Sequence, residues 1–263
     1  MTGTDRPTAG EPPTGTDVSG ATEAAAGADV SAGAEASAGT HESTGTDVPA
    51  GTERRRRIVL WRHGQTAWNV EQRFQGSTDI PLTETGVAQA RRAARLLAAL
   101  APDAIISSDL SRARATAAEL AALTGLPVTP YEGLRETYAG AWQGLTHTEI
   151  LARYGEQYTA WKRGEPVRRG GGELETEVAD RAAPVVLAAA DKLADGGVLV
   201  VVSHGGAIRT TIGRLLGLEP TSWESLGGLS NCCWSVLGEG ARGWRLTEHN
   251  AGTLPEPVLG DDT

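Results

Sequence analysis

The chain has 263 residues, 40% of them hydrophobic, and a formal net charge of -9 at pH 7. This length is sufficient for one or two domains with a sizeable core. No apolar run approaches the 18 or so residues of a transmembrane helix, and the N-terminus lacks the apolar segment of a secretory signal. The two cysteines, Cys232 and Cys233, are adjacent and provide neither a disulfide framework nor a C-x-x-C spacing. We therefore expect a cytoplasmic protein that does not associate with membranes.

The negative charge is concentrated in the first 53 residues. This segment contains nine acidic residues and one arginine, whereas the rest of the chain has 24 acidic and 23 basic residues. The segment repeats Thr-Gly-Thr-Asp and has no aromatic residue, a composition typical of disorder. The near-neutral remainder implies no basic face and argues against a nucleic-acid partner. We predict a disordered acidic tail at 1–53, a folded domain at 54–252 and a flexible C-terminal tail at 253–263.

Strands and helices are predicted to alternate through the first half of the folded domain. A buried strand at 58–61 is followed by an amphipathic helix at 83–100, for which Thr83 is the predicted N-cap. A strand at 104–107, a helix to about residue 123 and a short strand at 128–130 come next. Residues 133–175 are rich in Gly, Trp and Tyr, which predicts a long excursion over the edge of the sheet. Within it, Trp142 and Trp161 are expected to pack in the core, and Trp142 is also a candidate to line a ligand pocket.

The second half continues the alternation. A helix is predicted at 176–195, with a kink at Pro184, then a strand at 198–202 and a helix at 206–216. Two late strands at 232–237 and 244–248 complete the domain. Alternating strands and helices predict the α/β class, here a three-layer α/β/α sandwich with a mostly parallel central sheet.

Two of the predicted strands end in a histidine that precedes a glycine. Arg62, His63 and Gly64 follow the first strand, and His204 and Gly205 follow the strand at 198–202. Ligands of open α/β sheets bind beyond the carboxyl ends of the strands. The sequence therefore predicts one pocket that contains two imidazoles.

The polar residues near these strand ends suit phosphate-ester chemistry. The guanidinium groups of Arg62 and Arg112 are suited to binding phosphoryl oxygens, and a neutral imidazole is a competent nucleophile toward phosphorus. A second imidazole can stabilise phosphoryl charge, and Glu136 is the best candidate to protonate the leaving alkoxide. Each residue alone is equally compatible with a structural or solvated role. Two histidines are also compatible with metal binding, but no clustered carboxylates or cysteines support a metal site, and we expect no metal and no other cofactor.

Several motifs, taken in order, resemble the histidine phosphatase superfamily, which has the phosphoglycerate mutase-like fold. They extend from about residue 57 to residue 250, and together they are far more specific than any one motif. The motifs are Leu60-x-Arg62-His63-Gly64-x-Thr66 with Asn69, Arg73-Phe-Gln-Gly76, Asp79-x-Pro-Leu-Thr-x-x-Gly86, Ser107-Ser-Asp-Leu-x-Arg112-Ala-x-x-Thr116, Leu134-Arg-Glu136, Gly140-x-Trp-Gln-Gly144 and Val202-Ser-His204-Gly205.

The resemblance implies a role for each matching site residue. His63 would be the phosphohistidine nucleophile and Glu136 the proton donor, with no metal ion. The residues that would hold the phosphoryl group are Arg62, Arg112 and His204. The residues that would line the substrate pocket are Asn69, Gln75 and Gly76.

A narrower resemblance is to the actinobacterial glucosyl-3-phosphoglycerate phosphatases. It rests on His63-Gly-Gln-Thr66, Arg135-Glu-Thr137, Gly140-x-Trp-Gln-Gly-Leu-Thr-His147 and Leu226-Gly-Gly-Leu-x-Asn231. The stretch between Glu136 and His204 is short and lacks the basic lid pattern of cofactor-dependent mutases. We therefore predict a phosphomonoesterase for a phosphorylated small metabolite such as glucosyl-3-phosphoglycerate. A cofactor-dependent phosphoglycerate mutase and a non-catalytic phospho-ligand binder are the alternatives, and a homodimer is compatible with the sequence.

Overall fold

A computed structural model describes residues 55–252, which contain one six-stranded sheet. The predicted tails at 1–53 and 253–263 lie outside the described residues. The strands are β1 (Arg57–Arg62), β2 (Ala104–Ser108), β3 (Val128–Tyr131), β4 (Val198–Ser203), β5 (Trp234–Gly240) and β6 (Gly243–Ala251). They lie in the order β3-β2-β4-β1-β5-β6. Neighbours among β3, β2, β4 and β1 are parallel, and β5 pairs antiparallel with both β1 and β6.

The helices begin and end where local sequence signals favour it. The Thr83 side chain accepts a hydrogen bond from the Gly86 N–H and caps the second helix, as predicted. Gly125 ends the third helix with a left-handed φ of 73°, which glycine adopts without strain. In the described part of the chain, no helix is long and apolar enough to cross a membrane. The helices are α1 (Ala67–Val70), α2 (Glu84–Ala98), α3 (Ser111–Thr124), α4 (His147–Lys162), α5 (Glu175–Ala190) and α6 (Gly205–Leu215).

The central strands are buried on both faces because helices cover both sides of the sheet. Val59 and Trp61 of β1 point to one face and pack against α2 and α3, whereas Ile58 and Leu60 point to the other face and pack against α5 and α6. Strands buried on both faces read as continuous apolar runs, which is the pattern of β1 and β4. The predicted three-layer α/β/α sandwich with a mostly parallel sheet is confirmed.

The largest departure from the predicted elements is in residues 133–175. This region contains α4, a helix of 16 residues that the composition did not predict. It packs over a separate apolar cluster around Phe74, Trp142 and Trp161, which confirms core packing for the two tryptophans. Trp142 is fully buried there and packs edge-on against the rings of Phe74 and Trp161. Pro184 lies inside the next helix, α5, which continues on both sides of it. This helix ends at Ala190, earlier than the predicted residue 195.

Candidate active site

The register of β1 and β4 brings the two predicted histidines to the same edge of the sheet. The strands are parallel neighbours, and Arg62 lies opposite Ser203, so that His63 and His204 leave the sheet side by side. Their ring centroids are 5.1 Å apart with the ring planes at 58°. The backbone N–H of His63 donates to the backbone carbonyl of Ser203 at 3.0 Å, which holds the two chain segments together. The two predicted imidazoles therefore lie side by side at this edge of the sheet.

The His63 imidazole is held in one tautomer. Its Nδ1 lies 2.7 Å from the carbonyl oxygen of Gly64, and because a carbonyl only accepts, Nδ1 carries the proton. The lone pair is then on Nε2. Burial lowers the pKa of His63 well below its ordinary value, and the positive charges of Arg112 and Arg62 lower it further. The ring is thus kept neutral, which is the state a nucleophile requires.

The second imidazole, His204, has a hydrogen-bond partner at each ring nitrogen. Arg112 Nε donates to Nδ1 at 3.2 Å, so that Nε2 carries the proton and lies 2.9 Å from the Ser108 hydroxyl. Burial, followed by the charges of Arg112, His63 and Arg62, lowers the pKa of His204 well below its ordinary value. His204 is therefore a neutral ring whose orientation is set by the side chain of Arg112.

Two buried guanidinium groups supply the positive charge of the site. Arg112 is fully buried and donates to the carbonyls of Thr78 at 2.7 Å and Gly76 at 2.8 Å. Arg62, also buried, donates to the carbonyl of Leu229. Both charges act on both histidines, since each lowers the pKa of each ring. An anion bound here would be met by guanidinium N–H groups that are already fixed in place.

The loop after His63 forms a polar wall of the pocket. The Thr66 hydroxyl lies 2.9 Å from Gln75 Oε1 and 3.0 Å from Asn69 Oδ1, and its single proton bonds to one of these two acceptors. Asn69 is completely buried, and its Nδ2 has no hydrogen-bond partner among the described residues. A buried amide donor without a partner is costly, and a bound anionic ligand would satisfy it. Gly76 completes the wall with φ of 52°, where a Cβ would lie 2.2 Å from Gln143 Oε1.

The carboxylate of Glu136 rests on the first turn of α6. Its Oε2 accepts from the Gly206 N–H and its Oε1 from the Ala207 N–H, both at 2.9 Å. Gly206 is needed for this approach, since a Cβ there would lie 2.8 Å from Oε1. Because α6 begins directly after His204, this contact places the carboxylate beside the histidine pair. Arg181 holds the backbone around Glu136 in place by donating to the carbonyls of Arg135 and Glu136.

The structure thus assembles all eight predicted site residues at one edge of the sheet. It also shows positioning residues that the sequence did not reveal. Asn231 Nδ2 donates to the His63 carbonyl at 3.1 Å and lies 3.3 Å from Asn69 Oδ1. The Thr116 hydroxyl accepts from the Gly64 N–H. Asn231 and Thr116 both stand in the quoted motifs, which was the available signal, but spacing alone assigns no contact to either.

Comparison with known families matches this fold and site to one group. The histidine phosphatase superfamily (branch 1) matches residues 58–252. The chain therefore belongs to the histidine phosphatase superfamily. This confirms the resemblance predicted from the motifs and places the chain with phosphatases that act on phosphorylated metabolites.

Similar individual proteins include phosphatases and a mutase. The glucosyl-3-phosphoglycerate phosphatase of Mycobacterium tuberculosis is 41% identical over 213 residues, which cover 75% of this chain and 96% of that protein. The 2,3-bisphosphoglycerate-dependent phosphoglycerate mutase 2 of Gloeobacter violaceus is 36% identical over 174 residues, or 64% of this chain and 80% of that protein. A solved mycobacterial glucosyl-3-phosphoglycerate phosphatase in complex with VO3 superposes with a TM-score of 0.71 at 41% identity, covering 75% of this chain and all of that one.

The lowered pKa values of the two histidines predict how stability depends on pH. Unfolded histidines bind protons near pH 6.5, whereas the folded rings stay neutral well below that pH. The unfolded state then binds more protons, so the free energy of unfolding falls as pH decreases below about 6.5. The expected slope is up to about 1.4 kcal/mol per pH unit for each histidine. Chemical denaturation between pH 5.5 and 7.5 measures it, with His63→Gln and His204→Gln as comparisons. If the free energy of unfolding falls with decreasing pH as steeply in both variants as in the wild type, the lowered pKa values do not belong to His63 and His204.

Proposed function

We propose that this protein is a metal-independent phosphomonoesterase that works through a phosphohistidine and hydrolyses glucosyl-3-phosphoglycerate. The observation that carries the proposal is the fixed tautomer of His63. Its Nδ1–H is held by Gly64, and its neutral Nε2 lies in a pocket charged by Arg62 and Arg112. Binding alone would require the arginines, but neither an oriented nucleophile nor a carboxyl group beside it. This argues against a non-catalytic phospho-ligand binder.

In the first half-reaction, His63 Nε2 attacks phosphorus. The P–N bond forms as the ester P–O bond breaks, and the electron pair of that bond leaves with the alkoxide oxygen. Glu136, which enters the cycle as the carboxylic acid, gives its proton to that oxygen, so the leaving group departs with a neutral hydroxyl group. The guanidinium groups of Arg62 and Arg112 stabilise the charge on the phosphoryl oxygens, as fixed donors do at developing oxyanions. The Nε2–H of His204, which faces the Ser108 hydroxyl without substrate, is then shared with a phosphoryl oxygen.

In the second half-reaction, water attacks phosphorus and the P–N bond breaks. The bonding electrons return to Nε2, and the carboxylate of Glu136 accepts the proton of the attacking water. Inorganic phosphate is released, and His63 and Glu136 return to their starting states. The positive charge that a metal ion would otherwise supply comes from the two arginines, which is why we propose chemistry that needs no metal.

The choice of substrate is supported by the relatives. The phosphatase of Mycobacterium tuberculosis aligns over nearly its whole length, whereas the mutase of Gloeobacter violaceus aligns over less of both chains and at lower identity. The solved complex with VO3 shows that a protein of this fold accepts an oxyanion. We further infer a cytoplasmic location, in keeping with Cys232 and Cys233, which are buried and form no disulfide bond. A homodimer is compatible with the proposal, which does not require one.

Phosphate release from defined substrates tests the function. We expect glucosyl-3-phosphoglycerate to be hydrolysed with a higher kcat/KM than sugar phosphates or nucleotides. The rate should be unchanged by EDTA. Conversion of 3-phosphoglycerate to 2-phosphoglycerate should be slower than release of phosphate to water. Inactivation by EDTA with rescue by a divalent ion, or faster isomerisation than hydrolysis, would refute this reading.

A further inference from the structure

Arg169 is a buried arginine next to the catalytic carboxyl group that the mechanism above does not use. Its side chain is about 4% exposed. Its Nη2 donates to the Thr137 hydroxyl at 3.1 Å, and that hydroxyl lies 3.4 Å from Glu136 Oε1. The guanidinium group of Arg169 is therefore two hydrogen-bond steps from the proton donor. In the proposed mechanism Glu136 protonates the leaving oxygen, so we expect the leaving group on this side of the site.

The charge of Arg169 is only weakly compensated. The nearest carboxylate oxygen, Glu175 Oε1, lies 3.9 Å away, and Arg209 occupies the same oxygen at 2.8 Å. The hydrogen bond from Nη2 to Thr137 is the one that the guanidinium group of Arg169 donates among the described residues. One side of the guanidinium group is covered by the Trp161 ring, whose centroid is 5.8 Å away. A buried cation with so little compensating negative charge is costly unless an anion joins it.

The glycines after Arg169 fix its position. The Gly170–Gly172 segment lies so close to the Tyr138–Trp142 segment that a Cβ on Gly172 would be 1.8 Å from the Tyr138 carbonyl oxygen. The Glu173 N–H donates to the same carbonyl at 2.8 Å. Because residues 138–142 follow Glu136 directly, the backbone that carries Arg169 is docked onto the backbone that carries the proton donor. The guanidinium group is thus positioned before any substrate binds.

The preceding residue provides a contrast. Arg168 is half exposed and forms a two-pronged ion pair with Glu177, with its Nη1 and Nη2 at 2.8 and 2.6 Å from the carboxylate oxygens. It has the same chemistry and adjacent position in the chain, but its charge is already paired at the surface. Arg168 is therefore a matched control for Arg169.

We propose that Arg169 binds the carboxylate of the leaving group and so selects phosphate esters of hydroxy acids. The inference rests on the proposed phosphatase function and extends it to substrate choice. In a 3-phosphoglycerate ester, the carboxylate lies two carbons beyond the carbon that bears the ester oxygen. An anion at that short distance from the oxygen protonated by Glu136 falls within reach of the guanidinium group of Arg169. Two parallel N–H donors suit a carboxylate in both geometry and charge.

The test compares two substrates that differ only in this group, 3-phosphoglycerate and glycerol 3-phosphate. The readout is the ratio of their kcat/KM values for phosphate release. Wild type should prefer the carboxylate. In Arg169→Gln the ratio should fall about 10- to 100-fold, the usual effect of a hydrogen bond to a charged group. The ratio in Arg169→Lys should lie between those of the wild type and Arg169→Gln. The ratio in Arg168→Gln should stay within about two-fold of the wild type.

The outcomes separate this inference from the proposed function. If wild type releases phosphate from neither these esters nor glucosyl-3-phosphoglycerate, the phosphatase proposal itself fails. If it hydrolyses glucosyl-3-phosphoglycerate alone, inhibition of that reaction by glycerate decides the subsite: equal inhibition of wild type and the Arg169 variants refutes it. If wild type hydrolyses both test esters without preference, or if Arg169→Gln and Arg168→Gln change the ratio equally, the carboxylate subsite is refuted and the phosphatase stands. Should Arg169→Gln fail to fold, as judged by thermal unfolding, the ratio in Arg169→Lys decides: a ratio equal to that of the wild type refutes the subsite. Inhibition by glycerate should weaken in the Arg169 variants and not in Arg168→Gln.

Discussion

Replacing His63 by Ala is expected to lower kcat by about 10⁴–10⁶-fold, the range seen when a catalytic nucleophile is removed. The loss follows from the geometry, because Nε2 of this ring carries the free lone pair and the charges of Arg112 and Arg62 act on the ring. Arg62 and Arg112 remain in the variant, so inorganic phosphate should still bind with measurable affinity. The measurement is single-turnover kinetics with a phosphomonoester, together with calorimetric titration with phosphate.

The control for this variant is His249→Ala, which removes a histidine that contacts Ser235 and Gly227, outside the site. It should retain wild-type turnover. Residual turnover in His63→Ala within about 10-fold of the wild type would show that another group attacks phosphorus. Loss of both turnover and phosphate binding, with a lowered unfolding temperature, would show that His63 mainly supports the structure.

Replacing Glu136 by Gln is expected to reduce turnover most for poor leaving groups. General acid catalysis contributes about 10²–10⁴-fold, so alkyl esters such as glycerol 3-phosphate should lose about that much. The amide keeps the shape of the carboxyl group and one acceptor for the N–H groups of Gly206 and Ala207. p-Nitrophenyl phosphate, whose leaving group departs without a proton, should lose much less. The comparison of kcat for the two esters is the measurement.

The control for Glu136→Gln is Glu132→Gln, an exposed residue in the short 3-10 turn just before it. It should not change either rate. Equal losses for alkyl and aryl esters in Glu136→Gln would mean that Glu136 supports the pocket without donating the proton.

The site residues that could be predicted from the sequence are those that directly follow a strand. Two apolar runs followed by Arg62-His63 and by His204 are visible in the sequence, and parallel pairing of β1 and β4 brings them together. The fold class followed from the same alternation of strands and helices, since buried parallel strands have few other arrangements.

The part that could not be predicted depends on contacts between distant segments. Helix α4 was missed because its amphipathic pattern is weak and Tyr154 interrupts it with non-helical φ and ψ of -132° and 37°. The contact of Glu136 with the first turn of α6 joins residues about 70 positions apart, which no local pattern indicates. Arg168 and Arg169 look alike in the sequence, yet one is exposed and the other buried, because the glycine segment docks only the second against the site.

The central claim is that His63 carries the phosphoryl group during turnover. Rapid acid-free quench of the wild-type enzyme with ³²P-labelled phosphomonoester, followed by peptide mapping at alkaline pH, tests it directly, because a phosphoramidate survives base and is lost in acid. We predict label on the peptide that contains His63, formed and lost at rates compatible with kcat, and absent in His63→Ala. Label on any other residue, or turnover with no labelled enzyme at any quench time, would contradict the account.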